Sequence, residues 1–533
     1  MSLDDLERES LCALLSRAAS RCDGRVVVVD GHDRGSYRML LKEVAGLAAV
    51  FHALGVRDGD RVAMLSLNSA HYLRFYFASL WAGGVMVPLN HRLAEGELAA
   101  LLDDAAPRIL LCDGSNRDRA EALIAARPEC QLIDLSRPPQ PAAEQAALPD
   151  CADPRALAAG AQLPDLSSEG DALALIVYTG GTTGRPRGVM LSHRNVLANC
   201  AHTIPYLKLS AETTQLHLGP LFHMGAGQRI FSVTAAGGRH VLLPKFSPDS
   251  ILETVAQERI SAMVLVPTMI RRLLARPGFN PAALPSLRHL SYGAAPTPLT
   301  LISALMDRFP QVELMQSYGQ SECAPVATAL HAEDHRAGAP QLKSVGRPVG
   351  EVAIKIVDPQ GEPCAVGEVG EVLIQGPNVM LGYWKSPEMS AETLRDGWLH
   401  SGDLGAVDEA GYLYLADRLK DMIISGGENV YSVEVEAQLL THPAVLSCAV
   451  VGTPDPDLGE QVHAVLQCSA GAQVELASIQ AHCRAALAGY KIPRSISLVD
   501  ALPLTGANKV DKKALRATLS QAQRSTEQVR ERR

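Results

Sequence analysis

Eleven residues in one run, Tyr178-Thr179-Gly180-Gly181-Thr182-Thr183-Gly184-Arg185-Pro186-Arg187-Gly188, have the types and spacing to do chemistry on a phosphate. Glycines admit positive φ and let backbone N–H groups crowd around an anion. The threonine hydroxyls add donors, and Arg185 and Arg187 add charge-assisted ones. Such a set suits the triphosphate of a nucleotide. It is not a Walker loop, because no Gly-Lys-Ser/Thr leads directly into a helix. Read alone, the run has a plainer alternative, a Gly/Thr-rich hairpin with exposed arginines.

Further runs follow in order: Gln316-Ser317-Tyr318-Gly319-Gln320-Ser321-Glu322, Ser401-Gly402-Asp403-Leu404-Gly405, Asp417-Arg418-Leu419-Lys420-Asp421, Ser425-Gly426-Gly427-Glu428-Asn429 and Thr505-Gly506-Ala507-Asn508-Lys509. With the glycine-rich run they resemble the motif set of the acyl-adenylate-forming superfamily. That group contains acyl-CoA synthetases, adenylation domains of peptide synthetases, and luciferases. The resemblance spans Asp60-Arg61-Val62-Ala63 to Lys509, nearly the whole chain.

The resemblance implies a division of labour. Thr179, Thr182, Thr183 and Gly184 would cradle the β- and γ-phosphates of ATP, with Arg187 standing where a lysine is usual and Gly180 where a serine is common. Glu322 would hold Mg²⁺ against the phosphates, since that cation needs only one or two carboxylates beside phosphate oxygens. Tyr318 and Ser321 would border the nucleotide, and Gly293-Ala294-Ala295 would close the other side of the adenine. Asp403, assisted by Arg418, would accept the ribose hydroxyls. Lys509 would reach both the attacking carboxylate and the α-phosphate, offsetting charge there, although Asn508 replaces a customary glycine. Lys420 would be the hinge about which a small domain rotates between half-reactions. Gly426 and Gly427 would then line the tunnel for the pantetheine arm of coenzyme A.

The implied reaction is activation of a carboxylic acid as its acyl-AMP, followed by transfer to the CoA thiol with release of AMP. A ligase that loads a separate carrier protein, and a degenerate binder without turnover, are the alternatives. In the same resemblance, Pro220-Leu221-Phe222-His223-Met224-Gly225-Ala226-Gly227 matches the segment lining the acyl pocket, and His223 has the position tied to gating of the thiol tunnel. Met224, Gly225, Ala294, Gly319, Ala324 and Val326 would complete the pocket, with Gly225 and Gly227 suggesting room beyond it. No aspartate in the segment could pair with an α-amino group. The wall reads as apolar, so a short- to medium-chain or simple aromatic monocarboxylate is expected and a second buried charge is disfavoured.

These residues need elements to position them. At 533 residues the chain is too long for one compact core. Hydrophobic content of 47% with 20% charged residues is that of a globular enzyme. A net charge of −9 argues against nucleic acid as a partner; a small carboxylic acid is expected instead, together with a homodimer. The eleven cysteines show no metal spacing, and no run is long enough for an integral membrane segment, which points to a cytoplasmic protein. Strands are expected at Asp60–Ser66, Val85–Pro88, Arg108–Cys112, Ala172–Val177, Arg239–Leu243 and Ala262–Val266, with helices over 69–82 and 94–104 and from Ser247. That alternation predicts an α/β fold with mostly parallel sheets. From Val352 short alternating strands predict a small β-barrel-like subdomain, and from Asp417 a compact α+β pattern begins. The expected domains are 1–418, large and AMP-binding, and 419–533, a small mobile lid. Residues 136–164 read as a surface connection, and the polar tail from Gln521 is expected to fray.

Overall fold

The computed structural model describes residues 10–22, 24–136, 170–179, 187–469, 471–472, 474–505 and 510–531. Contacts divide the chain into two compact units, Met1–Ile354 with Ile374–Leu399 and Lys355–Leu373 with His400–Arg533.

The first unit is built on two sheets. One runs, in spatial order, Gly382–Tyr383, Arg187–Ser192, Leu173–Thr179, Val85–Pro88, Arg61–Leu65, Ile109–Cys112 and Gln131–Asp134. Its strands from 61 to 134 are parallel. Strand 61–65 and its neighbours are buried on both faces, which is why they read as unbroken apolar runs. The crossover helices are Ala70–Trp81 and Glu95–Ala105. The second of these starts where the Glu97 carboxylate accepts the Ala94 N–H at 2.8 Å. Each expected strand and helix falls within two residues of its place.

The other sheet runs Arg347–Pro348, Thr328–Leu330, Glu313–Tyr318, His289–Gly293, Ala262–Leu265, Thr214–His217, Arg239–Leu242, Val28–Asp30 and Asp33–Gly35. Leu216, Val241, Met263, Leu290, Tyr292 and Leu314 point into one continuous core. Side chains alternate across a strand, so Gln215, His217, His240 and Ser291 point to the opposite face. There Thr234 Oγ1 meets His240 Nε2 at 3.2 Å, which lays helix Met224–Ala236 on that face. Helix His193–Tyr206 packs against it through Asn199–Gln228 (3.1 Å) and Thr203–Ser232 (3.2 Å). Both helices start where the sequence supplies a side-chain acceptor. Ser192 Oγ accepts from Asn195 N, and His223 Nδ1 accepts from Gly225 N.

In the second unit, strands Trp398–Val407 and Leu413–Arg418 pair antiparallel with an irregularity at Leu404/Gly405. A separate sheet orders Glu428–Val430, Ile423–Ser425, Gly459–Cys468 and Val445–Asp455, with Ser495–Leu498 parallel to Gly459–Cys468. Helices Ser432–Leu439 and Leu476–Arg484 contribute Val435, Leu439 and Ile479 to its core. The tail expected to fray is instead helix Lys512–Glu531. Its run of Lys, Ala, Leu, Arg, Gln and Glu favours helix, and Leu515 anchors it by burial. Of the expected 136–164 connection, all but Ser136 lies outside the described residues. Among the described residues no helix is long and apolar enough to cross a membrane, and the cysteines are free thiols.

Candidate active site

Strands Leu173–Thr179 and Arg187–Ser192 form an antiparallel pair in which Thr179 faces Arg187 and Tyr178 faces Gly188. The intervening loop, with Gly180, Thr182, Thr183 and Gly184, lies outside the described residues. The pair is fixed at its base. Tyr178 Oη donates to Asp104 Oδ2 at 2.5 Å, and burial followed by that carboxylate pushes the phenol pKa well up. Gly188 allows no side chain, because a Cβ would stand 2.7 Å from Ile176 Cγ2 and 3.1 Å from Trp384. That closeness lets Trp384 N donate to Gly188 O (2.7 Å) and brings Tyr383 opposite Val189.

Glu322 arrives at the same place from the second sheet. Strand Glu313–Tyr318 runs into a short turn, Ser321–Cys323, where Ser321 and Glu322 are buried, the latter 8% exposed. Tyr383 Oη donates to Glu322 Oε1 at 2.9 Å, and Met380 N donates to the Glu322 carbonyl at 2.9 Å. Burial, then the Glu322 charge, raises the Tyr383 pKa far above the ordinary phenol value, while the nearby Arg187 opposes the rise. Thus Arg187, Tyr383 and Glu322 share one neighbourhood. Arg187 Nε is buried with no hydrogen-bond partner among the described residues, as a donor awaiting a phosphate would be. Among the described residues no three His, Cys, Asp or Glu side chains cluster to hold a metal. One buried carboxylate beside phosphate donors still fits Mg²⁺, which keeps most of its shell as water and phosphate oxygen.

The expected adenine wall is shaped by backbone. Gly293 (φ 154°) and Gly319 (φ 153°) leave no space for side chains: a Cβ would stand 2.4 Å from Ser317 O and 2.1 Å from Pro325 O respectively. Ala294 takes the left-handed conformation (φ 63°) and is exposed, with Ala295 and Tyr318 partly so. The turn beyond, Cys323–Val326, is held by two asparagines. Asn378 Nδ2 donates to the carbonyls of Cys323 (2.7 Å) and Val326 (2.9 Å), and Asn199 Oδ1 accepts from Val326 N (3.2 Å). Ala324 and Val326 are buried.

The 220–227 segment is equally fixed. Asn68 bonds Gly219 O and Leu221 N, and Tyr76 Oη donates to Leu221 O at 2.6 Å. Because Nδ1 of His223 accepts, its neutral ring carries the proton on Nε2. Met224 is buried. The expected room at Gly227 is absent: a Cβ there would lie 2.2 Å from Tyr76 Oη and 2.6 Å from Leu221 O. Glycine is needed at 227 for close packing. At Gly225 only the His223 ring approaches, at 3.2 Å.

In the second unit Asp403 is buried and pairs with Arg418, Nε to Oδ1 2.7 Å. Gly426 (φ 62°) and Gly427 (φ 84°) form the two-residue turn of hairpin 423–430, where two positive φ values match the strand twist. Lys420 lies in the turn after Arg418, between Leu419, whose N–H donates to Gly402 O, and Asp421, paired with Arg516 at 2.8 Å. Lys509 and Asn508 lie outside the described residues.

Sequence reasoning passed over Tyr383, Asn378, Asn199 and Arg229. The first three act on partners 29 to 127 positions away, so no local pattern marks them. Arg229 had a visible signal, the one charged side chain in helix Met224–Ala236.

The family model described as AMP-binding enzyme matches residues 15–384, and that described as AMP-binding enzyme C-terminal domain matches residues 434–509. A feruloyl-CoA synthase of an Amycolatopsis species is 41% identical over 90% of this chain and 93% of its own. An indoleacetate–CoA ligase of Aromatoleum aromaticum is 36% identical over 90% of this chain and 92% of its own. Among solved structures, ATP-bound MatB from Rhodopseudomonas palustris superposes with a TM-score of 0.84 at 32% identity, covering 95% of this chain and 98% of that one.

Proposed function

We propose, since the chain belongs to the AMP-binding enzyme family and carries out ATP-dependent acyl-CoA synthesis from a carboxylic acid, that its acid has an apolar body, aromatic or medium-chain aliphatic. The reading of the site rests on one observation above others. Buried Glu322 is fixed by Tyr383 at 2.9 Å beside Arg187, whose Nε has no partner among the described residues. The buried apolar residues Met224, Ala324 and Val326 support the body proposed for the acid, as do relatives named for feruloyl and indoleacetate substrates.

In the first half-reaction a carboxylate oxygen of the acid attacks the α-phosphorus, and the bond to the bridging oxygen of pyrophosphate breaks. Thr179 and Arg187 stand at the mouth of the phosphate loop to bind the triphosphate. Glu322 would hold Mg²⁺, which supplies charge neutralisation to the phosphate oxygens when bound. Tyr383 keeps the Glu322 carboxylate oriented, a support of the kind that sets metal affinity. Gly293 and Gly319 bring backbone close enough to wall a flat ring. Asp403, held by Arg418, would bind ribose hydroxyls, and Lys509 would offset charge at the α-phosphorus. In the second half-reaction the CoA sulfur attacks the acyl carbon, its proton leaves, and AMP departs with the carboxyl oxygen. We assign the chain a large domain 1–418 and a lid 419–533 turning at Lys420; the two family matches fall on either side of that boundary.

The experiment is an AMP-release screen across aromatic and aliphatic acids with CoA present or absent. CoA-dependent release with an acid of apolar body is expected. Release only with a carrier protein would replace this reading by the carrier-loading one.

A further inference from the structure

Helix Met224–Ala236 carries one cation in its buried interior, Arg229, 4% exposed. Its Nε has no hydrogen-bond partner among the described residues, and no carboxylate is among the charges that act on it. Around it stand neutral groups. Tyr206, on the packed helix, is buried, which holds its phenol neutral. His217 lies on the facing strand, stacked on His240 with ring centroids 5.2 Å apart. Burial, then the Arg229 charge, drives the His217 pKa down to about 3, so the ring stays neutral and adds no second charge. A guanidinium this buried is usually paired or strongly hydrogen-bonded, because an isolated buried charge is costly.

Its place on the helix says where the missing partner comes from. Arg229 is four residues after Gly225, hence on the same helix face, and helical side chains lean toward the helix N-terminus. Arg229 therefore shares the helix face that carries Gly225, which has no side chain and sits next to His223. The adjoining Gln228 bonds Asn199, which in turn holds Val326 of the pocket turn. Arg229 thus lies on the helix that starts in the proposed acyl-pocket segment.

We propose that Arg229 determines specificity by pairing with a second carboxylate, carried at the far end of the acid from the carboxyl group that is activated. This rests on the acyl-CoA synthetase reading above. A carboxylate accepts the guanidinium fork with two parallel bonds, and no neutral oxygen both fills the fork and balances the charge. The apolar wall then binds the body between two anionic ends. The reasoning that a second charge is disfavoured holds for an uncharged wall, and Arg229 reverses it.

The test is a set of matched acids, aliphatic and aromatic, each as the dicarboxylate, its monomethyl ester, and the monocarboxylate of equal length. Kcat/KM for CoA-dependent AMP release is measured with wild type, Arg229→Met and Arg229→Lys. In wild type a dicarboxylate is expected to lead its own ester by at least ~10-fold, as loss of one buried charged pair implies. Arg229→Met should erase or invert that ranking, with Arg229→Lys between, and KM should move more than kcat. A wild type that prefers esters and monocarboxylates overturns the proposal. So does an Arg229→Met enzyme that melts normally yet loses activity equally on every acid, which marks a role in packing. Should Arg229→Met not fold, the wild-type ranking and Arg229→Lys decide. Absence of AMP release with every acid would defeat the ligase reading itself and this proposal with it.

Discussion

Tyr383 engages one oxygen of Glu322 and leaves the other directed by that bond. Its hydroxyl would therefore act on a cation held by Glu322 only through the carboxylate. Tyr383→Phe is expected to raise the Mg²⁺ concentration needed for half-maximal ATP–pyrophosphate exchange by about 10- to 100-fold, the usual effect of losing a support behind a metal ligand. Glu322→Gln should cost more, and no amount of Mg²⁺ should restore it. An unchanged Mg²⁺ dependence in Tyr383→Phe would assign that bond to folding alone. Glu322 could be picked from the sequence because its neighbours, Tyr318, Gly319 and Ser321, travel with it. Tyr383 could not, since a tyrosine after a glycine carries no mark of a carboxylate 61 positions away. The same holds for Asn199 and Asn378. Their chemistry is generic, and only the folded chain puts backbone amides and carbonyls in front of them.

Elements were more legible than the reasons for their glycines. The strand runs at 61–65, 85–88 and 109–112 are continuous and apolar because both faces are covered, so period and length reveal them. Glycine, by contrast, reads the same whether it makes room, permits positive φ or admits a neighbour. Gly227 admits a neighbour. Gly227→Ala should destabilise the chain by about 1–3 kcal/mol through overpacking against Tyr76 and Leu221 O, measured as a lower urea midpoint; an unaltered midpoint would show that the helix can slide aside. Gly427 permits positive φ, so a leucine there would strain the hairpin whatever enters beside it. Gly427→Asn is the cleaner probe of the proposed tunnel, because asparagine tolerates the left-handed region. Pyrophosphate exchange should survive in that variant while CoA-dependent turnover falls, and parallel losses in both would remove the tunnel role.

Across the whole molecule, buried and half-buried histidines tie stability to pH. His71, His193 and His202 are each held at about 4, burial being the largest cause. In the unfolded chain they titrate near 6.5. Between those values the unfolded state binds the proton and the folded state does not. Their stabilising contribution is therefore complete above about pH 6.5 and is lost as pH falls toward 4. Unfolding near pH 5 should take up about three protons from these sites, seen as a urea midpoint that drops steeply on acidification; a flat profile would show that these rings reach water. Catalysis is expected to divide along the chain as well. Lys509→Ala should suppress adenylation by ~10² or more yet spare thioester formation from supplied acyl-AMP, and equal losses in both steps would give the lysine a structural role. The bonds from Thr203 to Ser232, Ser232 to Gln228, Gln228 to Asn199, Asn199 to Val326 and Val326 to Asn378 form one unbroken chain. On the proposed pocket assignment, acid preference in this scaffold is therefore not portable in pieces. A transplanted 323–326 turn arrives with amides and carbonyls addressed to two asparagines the recipient has to own already, so recombination that respects only the pocket lining would yield a loosened binding site before it yielded a new one.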